Sequence, residues 1–149
     1  MKKKFNIYVK RKDFYHELSK EFFTYDNVTV CTVKIGIPIT SLPALSMLVL
    51  SKKELKKLAN RFPRLVPDSK GYLICSFTGT AKCKEDDVYD ERVGKNVADA
   101  KVEMKIYDFM RRLLNFLKEM IANKAYLYAE ATKYFSVCYN REKNFVERV

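Results

Sequence analysis

The chain has 149 residues, of which 48% are hydrophobic and 32% charged, with only four glycines and four prolines. That balance suits one globular domain with a buried core and excludes a disordered or fibrous chain. The formal charge of +11, from 29 Lys plus Arg against 18 Asp plus Glu, creates a positive field that attracts nucleotides, nucleic acid or acidic protein surfaces.

The Met1-Lys2-Lys3-Lys4 start is not followed by the apolar run of a secretion signal, since Asn6 and Lys10-Arg11-Lys12 interrupt it. Lys4–Val9 reads as a short strand or an arm. Asp13–Phe23 carries Phe14, Tyr15, Leu18, Phe22 and Phe23 at the spacing of an amphipathic helix. Asp26-Asn27 marks a turn, and Val28–Ile37 alternates β-branched residues as a strand does. A loop between Pro38 and Pro43 precedes Leu45–Leu50, a second strand or a buried helical turn. Ser51-Lys52-Lys53-Glu54 is a capping box opening a short helix with Leu55, Leu58, Ala59 and Phe62 on one face. Pro63 ends it, Pro67–Gly71 is a turn, and Tyr72–Lys82 is a further strand in which Gly79 marks a bulge or a close approach.

From Asp90 onward proline is absent, and apolar residues recur at three/four spacing from Val102 through Phe135. Either the run breaks near Asn123-Lys124 into a hairpin, or it is one helix that packs against another subunit. Apolar residues off the main stripe, including Leu114, Phe116, Tyr126 and Leu127, call for more than one neighbour. The expectation is an α+β fold: a small, mainly antiparallel sheet packed by a short helix and a long C-terminal helix or helical hairpin. Residues 1–149 form a single domain, with the helical region 90–139 used in homo-oligomerisation. The most apolar stretch, Ile35–Leu50, contains Pro38 and Pro43 and falls short of the ~20 residues of a membrane span.

Sites for covalent chemistry are not evident, and the chain reads as a binding protein, not an enzyme. No Gly-rich phosphate loop, H-E-x-x-H or G-x-S-x-G pattern is present. His16 lacks an orienting partner in sequence. Cys31, Cys75, Cys83 and Cys138 include no C-x-x-C pair, so neither a metal site nor a cofactor is expected. Cys31 and Cys75 lie in apolar stretches that read as strands, and reduced thiols in the cytoplasm are the expectation. The acids Glu85-Asp86-Asp87 and Asp90-Glu91 could hold a divalent cation, but a cap on the long helix, from Asp87 or Asp90, explains them more simply.

The basic residues Lys52, Lys53, Lys56, Lys57, Arg61 and Arg64 suit a solvated helix face. Others, Lys2–Lys4 and Lys10–Lys12, flank the N-terminal segment. A third group, Lys82, Lys84, Arg92 and Lys95, surrounds the strand-to-helix junction beside Tyr89, with Arg111 and Arg112 further on. Cations for phosphates and an aromatic for a base are the minimum for a nucleotide or single-stranded nucleic acid.

The junction from Gly79 to Ala98 reads Gly-Thr-Ala-Lys-Cys-Lys-Glu-Asp-Asp-Val-Tyr-Asp-Glu-Arg-Val-Gly-Lys-Asn-Val-Ala. It resembles a pattern of small phage and prophage proteins, G-x-A-x-C-x-x-x-D-x-[FY]-D-x-x-x-G-x-x-[IV]-A, through Gly79, Ala81, Cys83, Asp87, Tyr89, Asp90, Gly94, Val97 and Ala98. A strand, a capped turn and a helix lying close to the sheet would also satisfy the pattern with no ligand. Among proteins that look like this is the first class of anti-Thoeris proteins, cytoplasmic oligomeric sponges that sequester cyclic ADP-ribose signals made by bacterial TIR-domain defence enzymes. The resemblance implies a nucleotide held by Tyr89 and Asp99. Because a carboxylate repels phosphate, Asp99 would serve a ribose hydroxyl or an adenine amine.

The expected function is therefore sequestration, in an infected bacterium, of a nucleotide-like anionic small molecule by a homo-oligomer without cleavage. Lys82, Arg92, Lys95, Arg111 and Arg112 would meet the anion. The alternatives are a nucleic-acid-binding phage protein, an anti-CRISPR inhibitor filling a nucleic-acid channel, or a protein whose long helix docks on a host factor.

Overall fold

The computed structural model describes residues 11–38, 52–83 and 88–148. The Lys4–Val9 segment, Leu45–Leu50, Ser51 of the capping box, Lys84 and the acids Glu85-Asp86-Asp87 lie outside the described residues. The described elements are strands β1 (His16–Tyr25), β2 (Val28–Pro38), β3 (Val66–Pro67) and β4 (Tyr72–Lys82), and helices α1 (Lys52–Arg61) and α2 (Glu91–Arg148). The strands form an antiparallel sheet in the order β1-β2-β4-β3. The fold is α+β, with a four-stranded antiparallel sheet, a short helix and a long C-terminal helix. Contacts divide the chain into two compact units, Met1–Leu113 and Leu114–Val149.

β1 corrects the expected helix at Asp13–Phe23. Only a 3-10 turn, Arg11–Asp13, precedes a ten-residue strand. Asp26 and Asn27 both adopt positive φ, 44° and 61°, the conformation of a tight two-residue hairpin turn. That turn sets Tyr25 opposite Val28 and carries the pairing back to His16 opposite Gly36, with an irregularity between Glu17 and Ser19. Phe22, Phe23, Thr24 and Tyr25 suit a pleated strand. Because aromatic residues occupy both faces, the strand lacks the alternation that would have revealed it.

β2 and β4 are legible because one face is buried. Cys31, Val33, Ile35 and Ile37 of β2 and Cys75, Phe77 and Ala81 of β4 point into the core. Their register is continuous from Val28↔Lys82 to Pro38↔Tyr72. Ala98, Val102, Ile106, Phe109, Met110 and Leu113 of α2 are buried as well. Phe109 meets Phe77 and Phe62 edge-on, with ring centroids 5.3 and 5.7 Å apart. Each such aliphatic or aromatic side chain contributes about 1.5–3 kcal/mol by leaving water.

The turn before β4 is held by Asp68, whose Oδ1 accepts from the amides of Lys70 and Tyr72 at 2.9 and 2.8 Å. Gly71 takes φ +86° there. α2 runs through Asn123-Lys124 without a break, so the hairpin alternative is not adopted.

Candidate functional site

The strand-to-helix junction is built around close approach. A Cβ on Gly79 would lie 2.5 Å from the Ala98 carbonyl oxygen and 2.9 Å from the Val102 nitrogen. A Cβ on Gly94 would lie 2.6 Å from Thr29 Oγ1. Without side chains at these two positions, the first turns of α2 can rest directly on β2 and β4. Gly79 is thus a close-approach point and not a bulge.

Tyr89 and Thr29 tie the junction together through hydroxyls 2.8 Å apart, and Thr29 is fully buried. A buried hydroxyl left without a partner would cost roughly 1–3 kcal/mol, so this bond matters more than an exposed one. Asp90 caps α2: its Oδ1 accepts from the Arg92 and Val93 amides at 2.9 and 3.4 Å, while its carbonyl accepts from Gly94 N at 2.9 Å. Of the expected caps, Asp90 serves, and Asp87 lies outside the described residues. Gly79, Tyr89, Asp90, Gly94 and Ala98 of the junction therefore each have a structural task.

Tyr89, Asp90 and Gly94 also line a cleft of about 400 Å³ between the end of β4 and the start of α2. Its walls include Lys82, Val88, Tyr89, Val93, Val97 and Lys101. Volume and lining both suit a small ligand, since such sites run ~300–1,000 Å³ and are largely apolar with a few polar anchors. Lys82 is exposed at the strand end. Lys101 donates to the Thr80 carbonyl at 2.9 Å, which leaves its charge and its remaining donors for an anion. One helical turn on, Lys105 donates to the Thr78 carbonyl in the same way. The two lysines cover the edge of β4 beyond the reach of β3, a position where unpaired backbone groups would otherwise invite another strand.

Of the residues expected to bind, Lys82 and Tyr89 meet at this cleft and the others stand elsewhere. Asp99 forms an ion pair with Lys20 of β1 at 2.7 Å, so its carboxylate serves the β1 side of the sheet. Lys95 pairs with Glu91 at 3.3 Å and lies 5.8 Å from the centre of the Phe22 ring. Arg92 is exposed on the first turn of α2 and does not line the cleft. Arg111 and Arg112 share the Asp108 carboxylate at 2.6 and 3.2 Å, and Arg112 lines a separate crevice with Arg61 and Arg64.

Lys101 was not among the expected residues. The Lys101/Lys105 spacing of one turn was visible in sequence, but only the packing of α2 on β4 shows what it faces. His16 is exposed and meets Tyr72 edge-on at 6.1 Å. Cys31 and Cys75 are buried, and burial raises both thiols above the ordinary range, which makes them inert small hydrophobes.

No protein-family model, curated protein or solved structure matches the chain. Among the described residues, no helix is long and apolar enough to cross a membrane.

Proposed function

We propose that the protein binds and withholds an anionic nucleotide-like molecule, of the cyclic ADP-ribose type, in the cleft between β4 and α2. The observation that carries this reading is the pairing of Lys82 and Lys101 with Tyr89 around a largely apolar cleft of about 400 Å³. The lysines supply charge for phosphates, and the half-buried Tyr89 ring supplies a wall for a base or ribose. Asp90 directs its carboxylate to the α2 amides, which reduces its repulsion of the ligand. Asp99, paired with Lys20, has no part in this binding mode. Sequestration needs no bond-breaking group, and the net charge of +11 favours capture of anions. The protein would act as a homo-oligomer in the cytoplasm of a phage-infected bacterium, as the junction pattern suggests.

Calorimetric titration of the full chain with cyclic ADP-ribose isomers and cyclic oligonucleotides tests the proposal. Filling the cleft by Val93→Trp should abolish binding, because Val93 is exposed at its rim and the substitution removes no buried contact. Unchanged affinity in that variant would exclude the cleft.

A second reading, single-stranded nucleic acid, has its own support on the opposite face of the sheet. Phe23 and Tyr25 are both strongly exposed there, and Lys34 of β2 is exposed on the same face. Exposed rings beside cations are stacking platforms for bases. Affinity that falls steeply with salt and is lost in Phe23→Ala/Tyr25→Ala would favour this reading.

A further inference from the structure

The C-terminal unit, described over residues 114–148, is helical throughout and exposes an unusual amount of aromatic surface. Tyr128, Tyr134, Phe135, Tyr139 and Phe145 are each 64–67% exposed. At the ~150–250 Å² that an aromatic side chain can bury, they present on the order of 500–800 Å². Leu127 and Val146 are similarly exposed and add to this area. The total is comparable to the ~800 Å² that each partner contributes to a stable interface.

The spacing of this surface follows a heptad. Ile121, Tyr128, Phe135 and Glu142 recur every seventh residue, as do Lys124, Ala131, Cys138 and Phe145. Together they make the alternating three/four seam of a coiled coil. Acidic and basic residues enter this seam only at Lys124 and Glu142, and side-chain size varies sharply along it. These two properties decide the orientation of a partner.

We infer that this helix pairs with the same helix of a second copy, antiparallel, about a two-fold axis level with Lys133. In that register Lys124 lies opposite Glu142 of the second copy, and Tyr128 opposite its Cys138. Ala131 then faces Phe135 of the second copy, and Ile121 faces its Phe145. Each layer sets opposite charges together, joins a large residue to a small one, or joins two apolar residues. A parallel, in-register pair would put Lys124 on Lys124 and Glu142 on Glu142. It would also stack Phe135 on itself and leave a gap at Ala131. Like charges at a seam are the usual means by which a coiled coil rejects an orientation. The inference deepens the self-association in the proposed function and does not depend on the nucleotide.

The test uses the full chain, with sedimentation for mass and oxidative cross-linking for orientation. A dimer is expected, and Tyr128→Cys should become a covalent dimer on diamide oxidation. Peptide mapping should place the link between position 128 and Cys138 of the second copy. Unmodified protein should not join Cys138 to Cys138, because the register separates them by ten residues, ~15 Å along the axis. Lys124→Glu should weaken the dimer at least tenfold, and Lys124→Glu/Glu142→Lys should restore it. A monomer at all concentrations would overturn both the association and its geometry. A dimer linked Cys138 to Cys138 would overturn the antiparallel register alone.

Discussion

At the scale of single residues, the junction depends on what is missing as much as on what is present. The Gly79 position faces the Ala98 carbonyl and Val102 nitrogen at distances no real Cβ occupies. Gly79→Ala must therefore shift backbone, and thermal or urea unfolding should show a loss of about 2 kcal/mol or more. Tyr15 makes the opposite case. Its hydroxyl is buried without a hydrogen bond among the described residues, and burial pushes its pKa up to about 12. The native state therefore holds this proton after the unfolded chain, near the ordinary value of 10, has released it. Its stabilising effect is complete below pH 10 and lost as pH rises through about 12. Tyr15→Phe should be neutral or stabilising by up to about 1 kcal/mol at pH 7. In alkaline unfolding series it should lose less stability than the parent between pH 10 and 12.

At the scale of elements, the Asp90 cap carries the start of α2. Its replacement by alanine should cost about 1 kcal/mol, read as a lowered unfolding midpoint. A buried-face pattern made β2 and β4 legible, and three/four spacing revealed α1 and α2. β1 escaped because its Phe22 and Phe23 point to opposite faces, which imitates the i, i+4 spacing of a helix with Leu18. The decisive signal was Asp26-Asn27, whose positive φ values impose a hairpin and force the preceding residues to pair. The candidate site was half legible. Lys82 and Tyr89 belong to the junction by sequence proximity alone. Arg92, Lys95 and Asp99 are close in sequence and Arg111 and Arg112 lie further on, but helical rotation and rise carry all five to other surfaces. Lys101 gained its place only through the packing of α2 on the edge of β4.

For the molecule as a whole, the proposed anionic partner rests on two features, the net positive charge and the cleft beside Lys101 and Tyr89. Lys82→Ala and Lys101→Ala should each weaken nucleotide binding about tenfold, the scale of one charge-assisted hydrogen bond. Tyr89→Phe separates binding from stability: it keeps the ring and removes the hydroxyl bonded to Thr29. That variant should lower stability by about 1 kcal/mol while leaving affinity largely intact. Native mass spectrometry of the full chain with cyclic ADP-ribose isomers and cyclic oligonucleotides most directly tests the proposed nucleotide sequestration. A stoichiometric complex is expected, one that heat releases as unaltered nucleotide and that Val93→Trp eliminates. Protein that takes up none of these molecules, or that binds them equally well in Val93→Trp, would contradict it.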